Sequence, residues 1–328
     1  MRRAVHAAAA CVGALVIAAC SGGQPTGPST GGGGGGGDGG PVTPPANNLP
    51  VIDSITIQGT RATKEPANFA DLNESVPVTA KVHDDETPVD QLQYEWSASA
   101  GTFTGTGLSV VWQAPASAET PIDVTITLKV TEKYGFPGQP PAFSHDVSGT
   151  ASVSLHDSAK EVGDMARQFL LDFSDSSIAD VPYIMRNFDM SCREAQDEAQ
   201  QVAENRRRLK IVKWTVGPAR VTIPFGNSLC PIPGRIQRGD ACSATATRWE
   251  STIFSNGHYT IAQGDDWVSA YYRPTLKAWK LCDSQFPGTC TDVTVGRPCS
   301  EVSGDSDAIV PDSQRWRRIE LPQNLTIR

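Results

Sequence analysis

Asp265 and Asp266 stand side by side after Gly264, and His258, Arg248 and Tyr271 occupy the same C-terminal stretch of the chain. A carboxylate or imidazole moves protons near neutral pH when burial or a neighbouring charge brings its pKa toward the working pH, so these groups matter if they point into an apolar pocket. By position alone, the two aspartates read as a turn ahead of a strand. His258, directly after Asn256-Gly257, reads as the exposed tip of a hairpin. Arg248 and Tyr271 are available as hydrogen-bond donors. The chain contains no Gly-x-Ser-x-Gly elbow, no His-Glu-x-x-His pair and no Walker-type loop. Residue chemistry therefore leaves catalysis open and favours a non-catalytic role.

Oxygen ligands cluster elsewhere. Asp84, Asp85, Glu86 and Asp90 fall in one short loop and could ligate calcium, a hard cation that seeks several oxygens. The plain alternative is a solvated turn, and no other cofactor is indicated. Cysteines are placed at 11, 20, 192, 230, 242, 282, 290 and 299. Cys192, Cys230, Cys242, Cys282, Cys290 and Cys299 are an even set confined to one region without a C-x-x-C pair, which reads as disulfides in an exported chain rather than a zinc site. The pairing with least loop conflict joins Cys230 to Cys242, Cys290 to Cys299 and Cys192 to Cys282, although other pairings remain open.

The elements that must position these groups follow from composition and period. Residues 20–49 are rich in Gly, Ser, Pro and Thr, with seven consecutive glycines at 31–37, and read as a tether. Residues 50–155 alternate with period two: Val76, Val78, Ala80 and Val82, then Leu92, Tyr94 and Trp96, then Val124, Ile126, Leu128 and Val130. Short strands with turns between them predict an antiparallel sandwich, with Trp96 in its core. Residues 156–328 change character. Val162, Met165, Ala166, Phe169, Leu170 and Phe173 form one helical stripe with Asp157 or Ser158 as N-cap. Further helices are expected over 178–188 and 193–209, then strands over 211–223, 244–254, 267–272 and 278–282. Helices followed by a run of strands is an α+β order. The net charge of −8, and −10 once Arg2 and Arg3 are removed, speaks against a nucleic-acid partner.

Three resemblances add to this. Arg2-Arg3, an apolar run to Ala18 and Ala19, and then Cys20 resemble a bacterial lipoprotein signal with its lipobox. The resemblance implies cleavage of residues 1–19, acylation of Cys20 and attachment to a membrane through that lipid. Ser21 after the cysteine implies the outer membrane or cell surface. Leu92-Gln93-Tyr94-Glu95-Trp96 and Trp112-Gln113-Ala114-Pro115 resemble bacterial immunoglobulin-like and polycystic-kidney-disease-like domains. The helix–strand order over 160–286 and the ending Ala278-Trp279-Lys280-Leu281-Cys282-Asp283-Ser284 resemble the nuclear-transport-factor-two-like cone, with 287–328 as an unplaced extension. That fold implies a pocket, at which Trp249, Trp267, Tyr271 and Asp266 are the candidates unless the aromatics only fill the core. The expected function is a cell-envelope lipoprotein presenting a binding or interaction domain on a spacer, to an unidentified protein or glycan. An isomerase, dehydratase or cyclase in the cone is the alternative, and a carbohydrate-binding sandwich face a second.

Overall fold

The structure, a computed structural model, describes residues 43–58, 68–223, 229–232 and 235–299, with the side chains of 229–232 and 235–238 excluded. The expected signal at 1–19, Cys20, most of the tether, the side chain of Cys230 and residues 300–328 lie outside the described residues. From Pro44 onward the described residues belong to one compact unit, which is mostly strand.

The first half contributes β1 (Val51–Ile57), β2 (Phe69–Asp71), β3 (Ser75–His83), β4 (Gln93–Ala98), β5 (Thr102–Thr104), β6 (Ser109–Gln113), β7 (Ile122–Tyr134) and β8 (Phe143–His156). They form two four-stranded sheets, ordered β1-β3-β6-β5 and β2-β8-β7-β4. In β3 the buried residues are Val76, Val78, Ala80 and Val82, so the period-two pattern places one face inward. Val76 and Val78 meet Val124 and Ile126 of the other sheet in a shared core. Trp96 packs at the junction of two core clusters and donates from Nε1 to the Gly107 carbonyl at 2.8 Å, while Trp112 is fully buried and donates to Ala100 O at 3.0 Å. Gly101 is required beside it, because it has a φ of +82° and a Cβ there would stand 2.4 Å from Trp112 Nε1.

The second half opens with α1 (Ser158–Ser174), whose N-cap Asp157 accepts from Lys160 N at 3.0 Å. The expected helix over 178–188 is only the single turn α2 (Val181–Ile184). Its later residues are diverted into sheet contacts: Leu281 N donates to Asn187 O at 3.0 Å, and Asp189 N donates to Leu281 O at 2.8 Å. Next comes α3 (Arg193–Arg208). Its Arg206 reaches back to the carbonyls of Phe173, at 2.6 Å, and Asp175, at 2.9 Å, satisfying acceptors at the end of α1.

The strands that follow are β9 (Leu209–Thr222), β10 (Leu229–Ile232), β11 (Arg235–Arg238), β12 (Ala241–Ile253), β13 (Tyr259–Arg273), β14 (Ala278–Gln285), β15 (Thr289–Asp292) and β16 (Arg297–Pro298). β10 and β11 pair with each other, and the rest form a sheet ordered β16-β15-β13-β12-β9 with β14 also on β13. Residues 287–299 are thus a continuation of this sheet. Val162, Ala166, Phe169 and Leu170 of α1 pack against Val268, Ala270 and Leu281. Cys192–Cys282 and Cys290–Cys299 are disulfides, and Cys242 is also disulfide-bonded. The first closes a separation of 90 residues, which in the chain-entropy account is worth about 4–5 kcal/mol.

The two halves share side chains. β2 lies parallel to β8, with Ala70 in the sheet-on-sheet core and Phe69 in the core beneath α1. Phe69 stacks on His156 at 4.8 Å between centroids and meets Tyr272 edge-on at 4.7 Å. Asp71 Oδ1 accepts from Ser158 N at 3.0 Å and from Ser158 Oγ at 2.6 Å, and Ser158 Oγ accepts from Trp279 Nε1 at 3.1 Å. On the surface, Lys277 Nζ pairs with Asp123 at 2.7 Å.

Candidate functional site

Residues Gly264, Asp265 and Asp266 are not a turn. β13 begins at Tyr259, so all three are mid-strand, and strand alternation sends the two carboxylates to opposite faces. Asp265 lies on the outer face, where Arg220 Nη2 donates to it at 2.8 Å. Asp266 turns inward, opposite the fully buried Thr245 of β12, and is itself only 7% exposed. The adjacent pair is therefore not a dyad.

Asp266 sits at the wall of a cavity of about 90 Å³ between α1, α3 and the sheet. From α1, Phe169, Leu170 and Phe173 form one apolar side. From the sheet come Trp214 of β9 and Trp249 of β12, which are directly paired in register and stack at 4.8 Å with planes 14° apart. Phe173 meets Trp214 at 5.6 Å, and Phe286 closes on Trp249 at 4.3 Å. Phe286 can fold there because Gly264 and Gly288 approach closely: a Cβ on Gly264 would lie 2.6 Å from Gly288 Cα. Cys290–Cys299 packs behind Trp249. Glu198, Gln201 and Asn205 of α3 add the polar part of the lining.

Within this setting the Asp266 carboxyl is pushed up to about 7. Burial is the main cause, Ser284 Oγ opposes it by donating to Oδ1 at 3.3 Å, and the charge of Asp283 raises it further. Trp214 Nε1 is buried and has no hydrogen-bond partner among the described residues. The pocket thus offers an ionisable carboxyl near neutrality, a spare indole donor and five aromatic side chains, Phe169, Phe173, Trp214, Trp249 and Phe286.

Of the expected pocket residues, Asp266 and Trp249 line the cavity together. Trp267 and Tyr271 do not: Trp267 packs against Cys242, and the Arg273 guanidinium lies over the Tyr271 ring at 5.1 Å. Both are odd-numbered positions of β13, one step out of phase with Asp266 and Val268. Trp279 belongs to the core with Phe69 and Tyr272. His258 is not a free hairpin tip, since its Nδ1 lies 2.7 Å from Oδ2 of the buried Asp292. Arg248 is engaged with Gln263 at 3.2 Å and with Glu250 at 3.3 Å. Trp214, Phe286 and Glu198 were not foreseen. Only Trp214 carried a signal, because it stands on the same face of its strand as Val216 and could have been matched to Trp249.

The acidic loop is organised around protein partners. Asp84 Oδ1 accepts from Glu86 N at 3.0 Å and Thr87 N at 2.5 Å, Glu86 accepts from Asn48 Nδ2 at 2.8 Å, and Asp90 lies in a short helical turn at Val89–Gln91. The fully buried Glu132 accepts from Asn47 Nδ2 at 2.7 Å and from Thr87 Oγ1, tying this loop to the entering chain. Asp84, Asp85, Glu86 and Asp90 are not brought into one cluster, and among the described residues no group of three or more His, Cys, Asp or Glu side chains is arranged to hold a metal. Among the described residues of the sandwich half, no aromatic stands with the exposed large hydrophobics.

Comparison of the chain with protein-family models, with curated proteins and with solved structures finds no match.

Proposed function

We propose that this protein is a lipid-anchored protein of the bacterial cell envelope that binds a small ligand in the pocket of its C-terminal domain. In this reading residues 50–155 are an immunoglobulin-like spacer and residues 160–286 a nuclear-transport-factor-two-like cone. The single observation that carries the pocket is Asp266, a 7% exposed carboxyl among aromatic walls. A buried carboxyl costs stability unless a partner compensates it, so its placement is best understood through what enters beside it. The membrane anchor is supported by the charged start, the apolar run and Cys20.

Two outcomes are expected. Thermal unfolding of the full chain against a panel of small molecules, each with an apolar body and one polar group, will show a concentration-dependent rise in Tm with some members. At a hundredfold excess over Kd the gain is about 2.7 kcal/mol. Asp266→Ala will remove it, and no rise with any member would end the pocket reading. Separately, Cys20→Ser in cells is expected to release the protein from the membrane fraction; retention there would end the lipid reading.

The enzyme reading is favoured by the same carboxyl, since a group titrating near pH 7 can both take and give a proton. Its mark would be turnover lost in Asp266→Asn while ligand binding persists. The protein's membership of an isomerase, dehydratase or cyclase class depends on that result.

A further inference from the structure

Among the described disulfide cysteines, Cys242, Cys282, Cys290 and Cys299 are buried and Cys192 alone is not. Its sulfur also receives a charged donor, because Arg273 Nη2 donates to Cys192 Sγ at 3.4 Å. From these two observations we propose that Cys192–Cys282 is a thiol–disulfide exchange site, opened by a dithiol reductant, and that its opening releases α3 from β14. The inference goes beyond the pocket reading and does not depend on it.

A thiolate attacking a disulfide spreads its negative charge over three sulfurs, and reduction leaves that charge on a released one. A guanidinium held at one of these sulfurs stabilises both, and such surroundings distinguish reactive cysteines from inert ones. Arg273 is held in place by its other contacts. Its Nε lies 2.5 Å from Asp189 Oδ2, and its guanidinium lies over the Tyr271 ring at 5.1 Å. Asp189 offsets part of the charge and also accepts from Ser191 N at 2.9 Å. Arg193 and Glu194, which open α3, are exposed and opposite in sign. The balance at Cys192 Sγ therefore rests on Arg273, with Asp189 as its counterweight. Cys290 and Cys299 are set instead in an apolar cluster with Trp249 and Phe286.

The exchange runs in two steps. The partner's first thiolate attacks Cys192 Sγ, the sulfur of the less buried residue. The Cys192–Cys282 bond breaks, and Cys282 leaves with the electron pair and takes up a proton. The partner's second thiolate then attacks the mixed disulfide and frees Cys192. Two electrons and two protons have passed: the partner's dithiol is now a disulfide, and Cys192 and Cys282 are thiols. The bridge ties the start of α3 to β14, and α3 itself buries just Ala195 and Val202. It also carries Glu198, Gln201 and Asn205 of the cavity lining, so its release loosens that wall.

The test equilibrates the full chain in buffers of graded reduced and oxidised dithiothreitol, blocks free thiols with iodoacetamide and reads each cysteine by peptide mass mapping. Cys192 and Cys282 are expected to label together, at a reduced-to-oxidised ratio about tenfold or more below that needed for Cys290 and Cys299. Earlier labelling of Cys290 and Cys299, or labelling of both bridges at one ratio, overturns the exchange site. Arg273→Met is expected to lower the reduction constant about tenfold, which is about 30 mV. Asp189→Asn keeps an acceptor for Ser191 but removes the counterweight, and is expected to raise the constant severalfold. Mere loosening of the fold would move both variants the same way, so shifts of one sign, or none, refute the role of Arg273. If Arg273→Met does not fold, the sign of the Asp189→Asn shift decides. Amide hydrogen exchange over 195–205 is expected to quicken about tenfold or more once the bridge is reduced, and unchanged protection refutes the release of α3.

Discussion

Asp266→Asn is expected to make the folded chain more stable above pH 7 and to erase a pH dependence that the parent shows on the acid side of that point. The direction follows from where the proton resides. Between the ordinary carboxyl value of 3.8 and the folded value of about 7, the native state holds a proton that the unfolded chain has released. Stability contributed by that difference is complete below 3.8 and is lost as pH rises through about 7. A gap of roughly three pKa units at 1.36 kcal/mol per unit bounds the loss at about 4 kcal/mol. Asparagine keeps the shape and cannot ionise, so the variant should match the parent near pH 4 and exceed it at pH 8. Urea midpoints at the two pH values measure this directly. Asp265→Asn provides the contrast: it removes an exposed pairing with Arg220 and should change stability by less than about 1 kcal/mol. A parent whose midpoint does not fall between pH 4 and pH 8 relative to Asp266→Asn would show that the carboxyl is hydrated.

Phe69→Ala is expected to cost about 3–5 kcal/mol and to separate the unfolding of the two halves. Phe69 is 2% exposed, belongs by sequence to the first half and by packing to the core of the second. Removing the ring leaves His156, Tyr272 and Trp279 facing a void, and the polar link from Asp71 through Ser158 to Trp279 loses its neighbour. Guanidinium unfolding followed by near-ultraviolet and far-ultraviolet circular dichroism should give coincident transitions in the parent and two displaced transitions in the variant. Coincident transitions with a loss under about 1 kcal/mol would show that Phe69 does not join the halves.

Much of the fold was legible because period and burial coincide. The stripe from Val162 to Phe173 gives α1 and its cap, and the alternation along Val76 to Val82 gives β3 with its inner face. The cysteine spacing suggested Cys192–Cys282 and Cys290–Cys299, and both form. Failures occurred where a tertiary partner overrides a local signal. The glycine before Asp265 suggested a turn, yet β12 supplies hydrogen bonds on one side of β13 through that very stretch, and the strand runs on. Residues 185–188 carry helical character but are drawn to β14 by Leu281. Nothing local in the sequence reveals that Phe69 enters the socket under α1. The site was half legible: Asp266 and Trp249 were named, while Phe286 depends on a glycine-on-glycine approach between positions far apart in the chain.

The stacking of Trp214 on Trp249 has an optical side as well. Two indoles with centroids 4.8 Å apart and planes nearly parallel do not absorb independently; their transition moments couple, and the pair rotates polarised light as one chromophore. The coupling depends on the mutual angle of the rings, so a guest that pries or tilts either indole alters the sign pattern of that band. The cavity therefore contains its own reporter. Its occupancy is written into the light the protein absorbs, with no dye or label attached.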